Sequence, residues 1–132
     1  MAKKEVIYPK GWDSYRRYTF APAVKKGGLI FLSGSTAVDR NTGEFVGEGD
    51  IAAQTRQIYK NMQEILEAAG ASMADIVQTS DYITTTVGYK ETANIRRELF
   101  GDSFPASSGF IVSALLNPKA LIEIDAIAVV GD

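Results

Sequence analysis

The closing segment "ALIEIDAIAVV" (Ala120–Val130) constrains the fold most, because it is apolar on both sides of a period-two pattern. Alternation puts Leu121, Glu123, Asp125, Ile127 and Val129 on one face of a strand. Ile122, Ile124, Ala126, Ala128 and Val130 fall on the other. A strand of this kind belongs inside a sheet with material against both faces.

The rest of the chain supplies cover for one face only. From Asp50 to Ala69 the apolar residues Ile51, Ile58, Met62, Ile65, Leu66 and Ala69 form a helical stripe, with Asp50 placed to cap its start and Gly70 its end. A second helix is predicted from about Gly88 to Phe100, with Tyr89, Ala93 and Leu99/Phe100 on one face and Gly101 as its stop. "GGLIFLSG" (Gly27–Gly34), "DIVQTSDYITTT" (Asp75–Thr86) and "GFIVSA" read as strands, and "DRNTGEF" (Asp39–Phe45) as a chain reversal. The expected fold class is α+β, a single domain over residues 1–132 with two helices on one face of a mixed or antiparallel sheet. The second face is then expected to be buried by a partner subunit.

Composition narrows the function. A net charge of -2, with basic pairs scattered from Lys3-Lys4 to Arg96-Arg97, gives no electrostatic case for nucleic acid or an anionic membrane as partner. No stretch approaches the roughly 20 apolar residues of a membrane span, and "MAKKEVIYPKGW" lacks the apolar run of a signal peptide, so a cytoplasmic protein is expected. The chain has no cysteine and no histidine. Thiol and Ser-His-Asp catalysis are therefore excluded, and a metal site is not expected. Proton transfer must use carboxylates, Tyr, Lys, hydroxyls or water.

Glu123 and Asp125 share a largely apolar strand face, so either can carry a raised pKa and act as a base; the plainer alternative is a solvated strand end. Asp81 stands in line with Val77, Thr79 and Ile83, where it needs a cation or a pocket unless its strand is an exposed edge. Arg96 shares the inward-leaning face of the second helix, and either pairs with Asp81, holds a substrate carboxylate or snorkels to solvent. Ser33-Gly34-Ser35 and Ser107-Ser108-Gly109 each join hydroxyls to a glycine where backbone can approach a ligand.

"AVKKGGLIFLSG", "TGEFVG…DIAAQTRQIYKNMQEILEAAGASMADIVQT" and "FPASSGFIV…PKALIEIDAIAVV" together resemble the Rid (YjgF) family of enamine/imine deaminases, from about Phe20 to Val130. The resemblance implies a chorismate-mutase-like sandwich, a homotrimer whose sheets form an inner barrel, and sites in clefts between subunits. It also implies hydrolysis of enamines and imines of small metabolites to ketones and ammonium, with no cofactor.

Residue by residue, the family's water-positioning acid corresponds to Glu123, and a second acid falls at Asp125. Ser33-Gly34 is retained, the usual Gln becomes Ser35, and the entry aromatic is Phe20, with Tyr18 nearby. The family's substrate-gripping arginine in Pro-Ala-Arg-Ser is Ser107 here. Its site Asn becomes Ala93, a Val becomes Asp81 and a Tyr becomes Arg96. Phe20, Ser33, Gly34, Ser35, Asp81, Arg96, Ser107 and Ser108 are thus the expected substrate-binding residues around Glu123, in a pocket altered from typical members. A C–N hydrolase is the leading expectation, with related amides as further substrates. The rival is a non-catalytic ligand-binding or chaperone-like protein that kept the fold.

Overall fold

The computed structural model describes residues 3–131, so both end points of the expected 1–132 domain lie outside the described residues. Six strands form one sheet: β1 (Glu5–Ile7), β2 (Ala23–Lys26), β3 (Leu29–Ser35), β4 (Ile76–Ile83), β5 (Ala106–Ile111) and β6 (Ile122–Val129). Their spatial order is β1-β2-β3-β6-β4-β5. Every pairing is antiparallel except β4 with β5, which run parallel. That parallel pair needs a crossover, and α2 (Glu91–Phe100) makes it. The other helix, α1 (Ile51–Ala68), links β3 to β4.

The expected stripe on α1 is the helix's buried face. Ile51, Ile58, Met62, Ile65 and Leu66 are all buried, and each such side chain contributes about 1.5–3 kcal/mol relative to exposure. Asp50 Oδ1 accepts the Ala53 N–H at 3.1 Å, and Gly70 takes φ +77 just past the helix. Four polar residues of this helix are also buried with partners: Thr55 bonds back to the Ile51 carbonyl, Gln57 bonds the Asn61 side chain, and Gln54 and Asn61 bind backbone elsewhere. Gln54 accepts the Leu121 N–H at 2.8 Å at the entry to β6, and Asn61 donates to the Val38 carbonyl at 2.8 Å. These two bonds fix the start of β6 and the loop after β3, the two segments that meet at the site.

On β6, Ile122, Ile124, Ala126 and Ala128 are buried, whereas Glu123, Asp125 and Ile127 are half-buried on the opposite face. The β3 register places Leu29 beside Val129 and Phe31 beside Ile127, so both residues join that second face and are exposed there. Both helices pack against the first face. Among the described residues no helix is long and apolar enough to cross a membrane.

Several local features differ from the sequence expectation. The short strands β1 and β2 carry no pattern of their own and form only by pairing, β2 onto β3 and β1 onto β2. Helix α2 begins at Glu91 rather than Gly88, and it buries Thr92, Ile95 and Phe100, while Leu99 is exposed. The Thr92 hydroxyl donates to the Tyr89 carbonyl at 2.7 Å, which lets a polar residue face inward. Strand β5 starts at Ala106, ahead of "GFIVSA", and is exposed along its whole length as the sheet's outer strand.

Candidate active site

A cleft of about 510 Å³ opens where β3, β6 and the segment before β2 converge, and Glu123 lies in its wall. The Asp13–Arg17 3-10 helix and the chain after it bring an aromatic group to the opposite side. Tyr18 and Phe20 stack at 5.2 Å, and Tyr15 meets both edge-on, at 4.9 and 5.8 Å. Gly34 completes the pocket beneath the acid. A side chain at Gly34 would collide with Glu123 Oε2, and its Cβ would lie 2.9 Å from the carboxyl carbon. The missing side chain makes the room in which the carboxylate sits.

Burial pushes the Glu123 carboxyl above its ordinary 4.5, and the neighbouring Asp125 charge adds to the rise. Among the described residues Glu123 has no ion-pair partner. Asp125, in contrast, accepts a hydrogen bond from the Tyr82 hydroxyl at 3.0 Å. The two acids therefore differ in environment: one is free to take a proton from water, the other is engaged. Tyr15 is pushed up to about 12, by burial first and against the Arg40 cation, so its phenol stays protonated. Tyr18 is held below the ordinary phenol value, chiefly by the hydrogen bond from Arg17 and then by Arg40.

Of the expected substrate-binding residues, Phe20 and Gly34 line this cleft with Glu123. Ser33 lies beside it but spends its hydroxyl on the Ala21 carbonyl at 2.6 Å. Ser35 is buried on the helix side of β3, opposite Ile124, so it points away from the cleft. Ser107 and Ser108 lie on β5 at the sheet edge, and Ser107 Oγ accepts from the Thr79 hydroxyl at 3.1 Å. Arg40, Tyr15 and Thr36 also line the cleft. Sequence reasoning missed them because their segments carry turn and aromatic composition without a chemical motif.

Asp81 and Arg96 are also placed away from Glu123. Asp81 pairs with Ile124 on β6, so it faces the helices and is buried, on the opposite side of the sheet from Glu123. Strand β4 lies one strand in from the edge, which excludes the solvated reading of Asp81. The expected contact with Arg96 is present: Arg96 Nη1 stands 3.6 Å from Asp81 Oδ2, and the Tyr89 hydroxyl donates to the same oxygen at 2.6 Å. The other carboxyl oxygen has no partner.

Burial pushes the Asp81 carboxyl up, against the opposing effects of the Tyr89 hydrogen bond and the Arg96 charge. A raised folded pKa favours the protonated acid. Its contribution to stability is full below the unfolded value near 3.8 and is lost as pH rises through the higher folded value. Asp81→Asn removes this titration. The melting temperature of the original protein relative to the variant should therefore fall across that window, as thermal scans at stepped pH will show. A constant difference would contradict the burial effect.

Comparison with known proteins fits this geometry. Residues 13–130 match the family model described as Endoribonuclease L-PSP. A RutC family protein of Pyrococcus horikoshii is 41% identical over 130 residues, covering 95% of this chain and 97% of the relative. The human protein named 2-iminobutanoate/2-iminopropanoate deaminase is 34% identical over 113 residues, covering 85% of this chain and 80% of that one. A Rid-family crystal structure from Yersinia pestis superposes with a TM-score of 0.88 at 33% identity, covering 97% of this chain and all of the other. The chain belongs to the Endoribonuclease L-PSP family, the Rid family of the resemblance. Its two helices and six-stranded mixed sheet have the architecture of that family's solved structures.

Proposed function

We propose that this protein is a cofactor-free hydrolase that cleaves the C–N bond of a small imine or enamine, with Glu123 as the base. The observation that carries this reading is the half-buried, unpaired Glu123 carboxylate over Gly34, with its pKa raised toward working pH. Glu123 takes a proton from water as the water oxygen bonds to the carbon of the protonated imine, giving a neutral carbinolamine. That proton then passes from Glu123 to nitrogen, the C–N bond breaks with its electron pair leaving on ammonia, and the hydroxyl proton returns to the Glu123 carboxylate as the carbonyl forms. An enamine enters the same sequence after protonation on carbon.

The name of the human relative supports a deaminase at 34% identity, a level that leaves the substrate open. The family's arginine is replaced by Ser107, so the grip on substrate must come from elsewhere in the site. Asp81 and Arg96 shape the packing under β5 rather than touch substrate. The test is ammonium release from imines generated in place by an amino-acid oxidase. Acceleration over buffer supports the reading; saturable binding of such compounds with no acceleration would favour the non-catalytic rival.

The working unit of this reading is a homotrimer in the cytoplasm, with a small molecule rather than nucleic acid or membrane as partner. Leu29, Phe31 and Phe110 are each close to half exposed on the sheet's uncovered face, and Leu116 at the cleft rim is 100% exposed. A neighbouring subunit laid against this face would bury them, and its β5 edge would bring Ser107 and Ser108 toward the cleft. Native mass spectrometry at micromolar concentration should show three times the 14.3 kDa chain mass. A monomer would remove the cleft's second wall and this assembly with it.

A further inference from the structure

The cleft holds a cation that the hydrolytic scheme leaves unused. Arg40 sits in the reversal after β3, where Asp39 Oδ1 accepts the Asn41 N–H at 2.9 Å and Asn61 of α1 holds the Val38 carbonyl. Its guanidinium carbon lies 4.7 Å from the Tyr15 ring centre, 5.6 Å from that of Trp12 and 5.9 Å from that of Tyr18. Tyr15 and Tyr18 line the Glu123 cleft together with Arg40, so these rings set the cation into its wall.

Ring faces attract the charge but do not satisfy a fork of five N–H donors. Arg40 Nε is buried without a hydrogen-bond partner, and among the described residues no carboxylate pairs with Arg40. The nearby Arg17 donates its Nη2 to the Tyr18 hydroxyl at 3.0 Å, and Arg40 also acts on that phenol, so the unspent donor of Arg40 is its Nε. An arginine with an unspent donor in a cleft lacks an anion. Glu123 shares that cleft yet lies outside ion-pairing distance, which leaves room for a ligand between base and cation.

We propose that Arg40 determines specificity in this cleft by holding the carboxylate of a small imino or enamino acid while Glu123 serves its C–N carbon. The inference rests on the hydrolytic reading of the Glu123 cleft. A planar guanidinium matches one carboxylate through paired N–H bonds. It gives the cleft the positive charge that Ser107 does not supply. Its place in the sequence, within the turn "VDRNTGEF", gives no hint of this role.

The test uses the complete protein and two probes of equal size, butyrate and butyramide. Titrated by calorimetry or as competitive inhibitors of imine turnover, butyrate should bind more tightly than butyramide. Arg40→Gln should reduce that preference by about 10–100-fold, the usual scale for losing hydrogen bonds to a charged group. Arg40→Lys should recover part of it. Equal binding of the two probes by the original protein, or an unchanged preference in Arg40→Gln, would overturn the proposal. Should Arg40→Gln fail to fold, the comparison of probes on the original protein and on Arg40→Lys decides. Absence of imine turnover alongside a butyrate preference would instead sink the hydrolytic reading and leave the anion site standing.

Discussion

Glu123→Gln is expected to lower kcat by about 10²–10⁴-fold on any imine or enamine that the protein turns over, the usual contribution of general acid–base catalysis. The amide keeps the shape of the acid and removes its basicity. Histidine and cysteine are absent from the chain, so no stronger base of those types stands behind it. Asp125 is two residues away on the same face but is engaged by the Tyr82 hydroxyl. The fold should be untouched, because Glu123 makes no ion pair among the described residues and its strand is held by Ile122 and Ile124 on the other face. Steady-state ammonium release with the purified variant, beside a melting curve, checks both statements. Normal turnover would move the proton to another group.

Gly34→Ala should be nearly as damaging, for a different reason. The backbone at Gly34 is not in the left-handed region, so alanine is tolerated conformationally. Its new methyl group, however, takes the space of the Glu123 carboxylate. The acid must swing aside, and displacement of a catalytic group by about 1 Å costs on the order of 10²-fold in rate. The melting temperature should change much less than the activity. A variant with full activity would show that Glu123 has a second working position. Loss of folding would make Gly34 a packing residue first.

These effects connect with what the sequence made legible. The α1 stripe and the two-sided β6 were readable because each repeats a strong periodicity over many residues. The acid on β6 could be singled out for the same reason, since it interrupts an apolar face. The contact between Gly34 and Glu123 was not readable, because it joins positions far apart in sequence across the β3–β6 pairing, where the register shifts between Leu32 and Ser35. Asp81 stood on a visibly apolar face, yet which side of the sheet carried helices was not written in its own strand. The exposed β5 and the three-residue β1 depend on neighbours for their state, so local pattern said little about them. Arg40 looked like turn composition until the aromatic rings of a distant segment closed around it.

The pH dependence of kcat/KM for ammonium release tests the role of Glu123 most directly. The base works only when ionised, and burial with the Asp125 charge places its pKa above the ordinary 4.5. With the uncatalysed rate subtracted, the protein should lose activity on the acid side through a single ionisation above that value, in scans from about pH 4 to about pH 9, the range in which carboxylate bases of this kind titrate. Glu123→Gln should abolish this limb along with the rate. An acid limb that persists unchanged in Glu123→Gln, or catalysis that is flat down to the lowest pH, would contradict Glu123 as the base.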